Sequence, residues 1–226
     1  MWLEVEYLPT SLFSFKNINA TNTAATSLLF PTPFGVKMGL VSQTIQNYNL
    51  DKGKEVFEMV KNREIRFSLS EEAVVNKTFG RITDLRNRVG RSKPAYREYV
   101  FLKGSLKVAI EISNLEDDEM KLLKRLFIRI NYFGKKGSFM QFKSFNQLEE
   151  LDEDYLNQMG EENLKLANKS IIQFTEDIPP KANFEAINIY NSDEKLDRKN
   201  NERIFVVNIE QTLSGEGYQY YKLCND

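Results

Sequence analysis

The sequence contains no histidine among its 226 residues. Histidine is the commonest general base, the commonest metal ligand and the usual partner of a serine or cysteine nucleophile. An enzyme made from this chain would have to use Lys, Tyr, Asp or Glu. The single cysteine, Cys224, cannot form a disulfide within the chain or complete a zinc site. We therefore expect a cytoplasmic protein that needs no metal and no cofactor.

Long apolar segments are also absent from the sequence. A membrane span needs about 18 or more consecutive apolar residues, and a signal peptide needs a basic region followed by an apolar run. Neither pattern is present, so we expect no membrane contact. The hydrophobic content of 41% and the aromatic content of 12% nevertheless predict a folded chain with a substantial core. The length fits one large domain, or one domain with an extension.

The net charge of −1 conceals an uneven distribution. From Asn76 to Lys107 there are nine basic residues and two acidic ones, whereas 148–162 contains seven acidic residues and no basic one. Aromatic residues Phe79, Tyr96 and Tyr99 are interleaved with the basic ones, a composition that suits single-stranded RNA. A solvated surface is the alternative for the basic segment. For the acidic stretch we expect a solvated face or a partner contact, because it lacks the spacing of a calcium loop.

The hydrophobic patterns predict an α+β fold. The predicted elements are a strand at 3–7, a helix at 34–48, a turn at 51–54, a strand at 60–69, a projecting loop or hairpin at 76–95, one or two strands at 96–112 broken at Gly104, a helix at 114–131 capped by Ser113 and Glu116, and a strand at 139–145. Apart from the hairpin, this order is the split β-α-β arrangement of a ferredoxin-like domain. An acidic, partly helical stretch and a closing hairpin at 203–209 and 218–223 follow.

Two segments combine features that suit a phosphate ligand. At 30–40, two prolines lead into the first helix, whose N-terminal N–H groups and Lys37 could bind an anion. The alternative is an ordinary helix start, with Pro33 near the first position. At 131–138, Gly134 and Gly137 enclose two lysines, and Tyr132 or Phe133 could stack on a base. The alternative there is a glycine helix cap followed by a solvated turn.

Four features in order resemble the fifth family of CRISPR-associated (Cas) proteins, which are RAMP-type subunits of class 1 Cascade complexes. They are Phe13-Ser14-Phe15-Lys16, the Pro-rich entry Pro31-Thr32-Pro33-Phe34-Gly35-Val36-Lys37-Met38-Gly39-Leu40, Arg97-Glu98-Tyr99-Val100 and Tyr132-Phe133-Gly134-Lys135-Lys136-Gly137. The resemblance covers roughly residues 1–145. It implies a ferredoxin-like (RRM-like) RNA-binding domain at 1–145 with a thumb at about 76–95, and a C-terminal β-rich extension at 146–226 packed on that domain.

The resemblance also implies a function in CRISPR antiviral defence. Members bind the 5′ handle of the CRISPR RNA and cap the foot of the complex. They contact its backbone RAMP subunit and its large subunit, with target DNA near the PAM as a further contact. The RNA-binding residues expected from the patterns and the resemblance together are Lys16, Phe34, Lys37, Arg81, Arg86, Arg88, Arg91, Lys93, Arg97, Tyr132, Gly134, Lys135, Lys136, Gly137 and Ser138.

Some subtypes of the family cleave precursor RNA with a Tyr, Lys and His constellation. Because this chain has no histidine, we expect RNA binding without nuclease activity. One alternative is a RAMP endoribonuclease, whose glycine-rich loop would be Ser214-Gly215-Glu216-Gly217, although this loop has an acid and no base. A second alternative is a ferredoxin-like interaction module with no RNA role.

Overall fold

The structure is a computed structural model that describes residues 1–20, 24–84, 91–160, 169–187, 196 and 201–224. The predicted α+β class is confirmed. The described strands are β1 (Trp2–Pro9), β2 (Phe15–Lys16), β3 (Ala24–Ala25), β4 (Ser27–Leu28), β5 (Ile65–Leu69), β6 (Glu72–Asp84), β7 (Arg91–Lys103), β8 (Leu106–Glu111), β9 (Met140–Leu148), β10 (Asn157–Gln158), β11 (Ser170–Glu176), β12 (Glu202–Gly215) and β13 (Tyr218–Leu223). The described helices are α1 (Pro33–Asn47), α2 (Leu50–Val60), α3 (Asp117–Arg129) and α4 (Phe184–Ile187). None of these helices is long and apolar enough to cross a membrane.

The first sheet contains four strands in the order β5-β8-β1-β9, and every neighbouring pair is antiparallel. Strand β1 alternates as the sequence predicts: Leu3, Val5 and Tyr7 are fully buried in the core. Residues of α1 and α3 belong to the same core. The hydroxyl of Tyr7 donates a 2.7 Å hydrogen bond to the carbonyl of Phe127, which holds α3 against β1.

The predicted turn at 51–54 is wrong, because these residues lie in α2. The Asn49 side chain caps this helix by accepting a hydrogen bond from the N–H of Lys52 at 2.8 Å. Helix α2 buries Val56, Phe57 and Val60. A Cβ added at Gly53 would lie 2.4 Å from Cγ1 of Ile45, so the glycine allows α1 and α2 to pack closely. The strand that follows starts at Ile65 rather than at Val60.

Helix α3 starts later than predicted, at Asp117, and Ser113 does not cap it. Its N-cap is Glu116, whose N–H donates to the carboxylate of Glu119 at 3.0 Å. Acidic residues occupy the first turn and Arg129 lies in the last, as the charge order in the sequence indicated. That order stabilises the helix dipole.

The second sheet contains strands in the order β10-β12-β13-β6-β7-β3, with β11 also paired to β12. Strands β6 and β7 form a long antiparallel hairpin, whose pairs run from Glu72↔Lys103 to Asp84↔Arg91. This hairpin contains most of the basic segment, which was predicted as a loop or hairpin. The C-terminal hairpin of β12 and β13 continues the sheet, because β13 pairs with β6.

An aromatic cluster connects the two sheets. The ring of Phe30 lies 4.9 Å from that of Phe67 on β5 and 5.3 Å from that of Phe205 on β12, and the last two rings are 5.6 Å apart. All three side chains are fully buried. The C-terminal strands therefore share the core of the first sheet rather than forming a separate core.

Candidate nucleic-acid interface

A cleft of about 510 Å³ lies beside the start of α1 and the end of α3. It is lined by Ser14, Phe15, Lys16, Pro31, Thr32, Phe34, Gly35, Met38, Gly39, Ser42, Gln43, Arg97, Ile130, Tyr132, Gly134, Lys135 and Glu176. Six residues predicted to bind RNA meet there, although they come from four distant parts of the sequence. They are Lys16, Phe34, Arg97, Tyr132, Gly134 and Lys135.

The first wall of the cleft is the start of α1. Thr32 is the N-cap, and its Oγ1 accepts a hydrogen bond from the N–H of Gly35 at 3.0 Å. Pro33 occupies the first helical position, as expected for an ordinary helix start. The N–H of Gly35 is thus already used by the cap. Phe34 is half-buried and lines the cleft, where its ring offers an aromatic surface. A Cβ added at Gly39 would lie 3.4 Å from Cδ1 of Ile130, so the glycine allows α1 to pack close to the end of α3.

The second wall is the glycine loop, which we define as residues 134–138. Gly134 and Gly137 have φ values of +59° and +111°, so both adopt conformations that other residues rarely reach. The loop is tied to the chain near 11–14: Ser11 Oγ donates to the carbonyl of Gly137 at 3.1 Å, and the N–H of Ser14 donates to Oγ of Ser138 at 3.3 Å. Ser138 is buried, so its role in the loop is structural rather than direct contact.

The exposed lysines and the aromatic pair before the loop differ in their placement. Lys135 lines the cleft, whereas Lys136 is exposed outside the lining. Phe133 is fully buried, with its ring 5.2 Å from that of Tyr7, and cannot stack on a ligand. Tyr132 is half-buried and lines the cleft, so it is the member of the pair that could stack.

Lys37 does not reach the cleft, contrary to the sequence expectation. Its side chain is fully buried, and its Nζ donates to Oδ1 of Asp177 at 2.6 Å and to the carbonyl of Lys61 at 3.0 Å. Nε of Arg203 lies 3.6 Å from Oδ2, the other carboxylate oxygen of Asp177. Burial lowers the pKa of Lys37, and the charge of Asp177 opposes this effect. The lysine joins α1 to the chain just after β11 instead of binding a phosphate.

The predicted residues on the β6–β7 hairpin are more scattered. Arg81 and Lys93 are exposed on its two strands. Arg86 and Arg88 lie outside the described residues, and of Arg91 only the backbone, in β7, is described. Arg97 is the hairpin residue that lines the cleft. Exposed Phe79 and Tyr96 form a cross-strand pair with their ring centroids 5.2 Å apart.

Sequence reasoning missed several cleft residues, of which Glu176 matters most. It lies at the end of β11 and contributes a carboxylate to the cleft that the cations Lys16, Arg97 and Lys135 also line. Nothing near it in the sequence signals this role, because its position depends on the pairing of β11 with β12. Met38, Ser42 and Gln43 were missed for a different reason. They follow Phe34 on the α1 face that borders the cleft, a face visible only once the core side of the helix is known.

The sheet face opposite the helices carries carboxylates. Glu4 accepts hydrogen bonds from Tyr155 and Asn146 at 2.7 and 3.1 Å, and Nζ of Lys107 lies 3.3 Å from it. Burial raises the pKa of Glu4, but these hydrogen bonds and the lysine charge outweigh it and hold the pKa below 4.5. Glu6, with Lys143 at 2.7 Å, has a lowered pKa for similar reasons. The lysines of this face are already paired with carboxylates, so the cleft is the better candidate interface.

The acidic stretch lies next to this face. Its carboxylates at 149, 150, 152 and 154 are exposed, and Asp152 Oδ1 accepts the N–H of Asp154 at 3.1 Å in a turn. Tyr155 then reaches Glu4, and the N–H of Leu156 donates to the carbonyl of Phe67 at 2.8 Å. In the described part of the chain, no group of three or more acidic, cysteine or histidine side chains could hold a metal ion.

Comparison with known proteins gives one informative sequence relative. The chain is 24% identical over 200 residues to the CRISPR-associated protein Cas5 of Archaeoglobus fulgidus, covering 84% of this chain and 85% of that protein. No protein-family model matches the chain.

Comparison with solved structures finds three further similar proteins. A crystal structure of a CRISPR protein from Archaeoglobus fulgidus covers 99% of this chain and 92% of that chain, with a TM-score of 0.49 and 9% identity. A chain of the type III-B Cmr-beta bound to cognate target RNA covers 64% of this chain and 59% of its own, with a TM-score of 0.46 and 11% identity. A chain of a CRISPR RNA-guided surveillance complex covers 62% of this chain and 59% of its own, with a TM-score of 0.36 and 13% identity. The resemblance indicated by the sequence motifs is confirmed by this sequence relative, which is a Cas5 protein, and Cas5 is a RAMP-type subunit of class 1 systems.

Proposed function

We propose that this chain is a subunit of a CRISPR interference complex that binds the 5′ handle of the CRISPR RNA and caps the foot of the assembly. The observation that carries the proposal is the cleft, which gathers three cations and two aromatic side chains from distant parts of the sequence. Single-stranded RNA is bound by such combinations, because the cations neutralise phosphates and the aromatic rings stack on bases. The backbone RAMP subunit, the large subunit and target DNA near the PAM would be its further contacts.

Within this proposal, residues 1–145 form a ferredoxin-like (RRM-like) domain. Support comes from the first sheet, whose strands are antiparallel in the order β5-β8-β1-β9. When the four strands of this sheet are numbered by their order along the chain, the order in the sheet is 2-3-1-4. This is the strand order of a split β-α-β domain, with the hairpin strands β6 and β7 inserted between its second and third strands. Residues 76–95, which include parts of β6 and β7, would be the thumb. Residues 146–226 would be an extension that packs on the domain and lengthens the hairpin sheet through β13.

The cleft side chains have complementary roles in this proposal. Lys16, Lys135 and Arg97 would contact phosphates, with the planar guanidinium of Arg97 suited to two phosphate oxygens at once. Phe34 and Tyr132 would stack on bases. Glu176 would accept a hydrogen bond from an exocyclic amino group of a base, since an ionised carboxylate can only accept. Gly134 and Gly137 would hold Lys135 in position rather than contact the RNA.

RNA binding is tested by measuring the affinity of the protein for its own repeat RNA at several salt concentrations. Three phosphate contacts in the cleft contribute about −2 to the slope of log affinity against log salt, at roughly −0.7 per contact on a single strand. The variant Lys135→Ala should lower the slope by about 0.7 units. The matched control Lys121→Ala, on an exposed part of α3, should leave it unchanged. Equal slopes for both variants would remove the cleft from the proposal.

The thumb is tested separately by neutralising Arg86, Arg88 and Arg91 together. If these residues contact phosphates, the salt dependence of RNA binding becomes shallower than in the parent protein. An unchanged slope would mean that these three arginines do not contact the RNA. Co-purification addresses the interaction-module alternative: protein that never carries nucleic acid and does not bind repeat RNA would favour that alternative.

We further propose that the chain does not cleave RNA. The sequence has no histidine, and the ionisable groups that line the cleft are Lys16, Arg97, Tyr132, Lys135 and Glu176. One observation keeps the endoribonuclease alternative open, namely that Tyr132 and Lys135 share the cleft. Incubation of the pure protein with repeat RNA in a metal chelator separates the two. Specific scission that is lost in Tyr132→Phe or Lys135→Ala would replace the binding role with a processing role.

A further inference from the structure

One face of the second sheet exposes a continuous apolar row, which we define as Phe101, Val74, Tyr220 and Leu213. The four residues lie directly opposite one another on the adjacent strands β7, β6, β13 and β12. Their side chains point away from the core, because the alternate residues Ala73, Val75, Val100 and Leu102 are buried on the other face. Phe101 is 50% exposed and Leu213 is 60% exposed. Such a row is unusual on a surface that faces only water.

A charged row lies next to the apolar row on the same face. It consists of Lys103, Glu72, Lys222 and Glu210, again in register across β7, β6, β13 and β12. Its charges alternate in sign from strand to strand, and Lys103 lies 3.2 Å from Glu72. On the other side of the apolar row follows a third row of Tyr99, Asn76, Tyr218 and Gly215.

This pattern is complementary to itself. Suppose that a second copy packs on this face, with a two-fold axis parallel to the strands and midway between β6 and β13. Each row then faces the same row of the second copy in reverse strand order, so that β7 faces β12 and β6 faces β13. Lys103 then faces Glu210 of the second copy, and Glu72 faces Lys222. In the apolar row Phe101 meets Leu213 and Val74 meets Tyr220, while in the third row Tyr99 meets Gly215 and Asn76 meets Tyr218. Every cation meets a carboxylate, and large side chains meet smaller ones, as a closed two-fold interface requires.

We propose that this face binds a second copy of the chain, forming a homodimer in which the two sheets pack with their strands aligned. The balanced charges favour protein over RNA, because Glu72 is paired with Lys103 and Glu210 with Lys169, which leaves little net charge to attract phosphates. The face is small: four strands span roughly 14 Å at about 4.8 Å per step. Interfaces at the low end of the size range are weak, so we expect dissociation in roughly the micromolar to millimolar range. The proposal does not rest on the RNA-binding function.

The test is sedimentation equilibrium of the full chain over a range of concentrations, with charge-reversed variants. Lys222→Glu places a carboxylate opposite Glu72 of the second copy, and Glu72→Lys places a cation opposite Lys222. Each variant alone should associate roughly tenfold or more weakly than the parent. In an equimolar mixture every contact in the mixed dimer again joins opposite charges, so association should recover. Repulsion between charges within one chain is the same in the mixture as in each variant alone. Only contacts between chains can therefore produce this recovery.

The apolar row provides a second test. Leu213→Glu should abolish the dimer, whereas Ile128→Glu, at a 48% exposed position on α3, should leave it intact. Circular dichroism checks that each variant is folded, and a variant that is not folded is replaced by the milder Leu213→Ser or Lys222→Gln. A chain that stays monomeric at all concentrations would overturn the proposal. So would a mixture that fails to recover, or a dimer that survives Leu213→Glu.

Discussion

Lys37 illustrates how burial changes the role of a charged residue. In the sequence it follows two prolines at a helix start, where it resembles a phosphate ligand. In the fold its four-carbon stem points inward, and its ammonium meets Asp177, 140 residues later in the chain. The pair is almost completely shielded from water, with side-chain exposures of 1% and 7%. Removing two charges from water costs free energy, and the attraction between the two charges offsets this cost.

Breaking this pair should be strongly destabilising. We expect Lys37→Met to lower the free energy of unfolding by about 3 kcal/mol, since the Asp177 carboxylate would remain buried without its closest cation, with Arg203 3.6 Å away and the N–H of Ile178 at 2.7 Å. The double variant Lys37→Met/Asp177→Asn should lose less than the sum of the single variants. Urea unfolding measures all three, with exposed Lys121→Met as the control. Strict additivity would show that the two residues do not stabilise each other.

The carboxylates on the outer face of the first sheet predict a pH dependence. Because the pKa of Glu4 is lower in the folded protein than its ordinary value of 4.5, the folded state binds fewer protons in acid than the unfolded state. The stabilisation from Glu4 is therefore present above about pH 4.5 and is lost as the pH falls through the folded pKa. Tyr155 contributes to this effect through its 2.7 Å hydrogen bond to the carboxylate.

Removing that hydrogen bond should reduce the acid dependence of stability. In Tyr155→Phe the pKa of Glu4 moves back towards its ordinary value, so stability should fall less steeply as the pH drops. Urea midpoints between about pH 3 and pH 7 measure this slope. Tyr48→Phe, at an exposed position, serves as the control. If the Tyr155 variant kept the full slope, Glu4 would not be the source of the dependence.

At the scale of elements, the backbone conformation of the glycine loop determines where Lys135 lies in the cleft. Gly80 and Gly137 both have open space for a Cβ, but only Gly137 has a positive φ, of +111°. We expect Gly137→Ala to cost about 1–3 kcal/mol through backbone strain. Because the loop positions Lys135, RNA affinity should fall as well.

Gly80→Ala is the matched control for the loop variant. It fills open space in strand β6 without strain, so its stability should be unchanged or slightly higher. Thermal unfolding and RNA binding of both variants test the prediction. A loop variant that is as stable as the control would mean that the loop adopts another conformation in solution.

Helix α2 is the element that the sequence misled us about. Lys52, Gly53 and Lys54 form a polar, glycine-containing stretch that is typical of a turn. The Asn49 cap and the spacing of Val56, Phe57 and Val60 are helical signals. These signals cover only a short segment. The glycine at 53 is needed for close packing against Ile45 of α1, which the sequence does not show.

At the scale of the whole molecule, the C-terminal extension completes the fold. It supplies Phe205 to the aromatic cluster, Asp177 to the buried ion pair and strand β13 to the edge of β6. We therefore expect a chain shortened to residues 1–148 to lose cooperative unfolding, because it would expose Phe30 and Phe67 and leave Lys37 without its partner. Thermal circular dichroism of the full and shortened chains measures this. A sharp transition in the shortened chain would make the first 148 residues an independent domain.

The sequence by itself determined the features that depend on local pattern. Alternation defined β1, and charge order and apolar spacing indicated α3. The two glycines of the loop indicated positive φ, and the ordered motifs indicated the similarity to Cas5. These signals survive in the fold because each arises from neighbours along the chain.

Only the tertiary structure decided which of the predicted site residues meet. It brought Lys16, Arg97 and Lys135 to one cleft with Glu176, buried Lys37 and Phe133, and aligned the exposed row from Phe101 to Leu213. The physical reason is that burial and strand register depend on partners more than 100 residues away, such as Asp177 for Lys37. The identity of a charged residue in the sequence does not indicate whether its side chain lies at the surface or in the core.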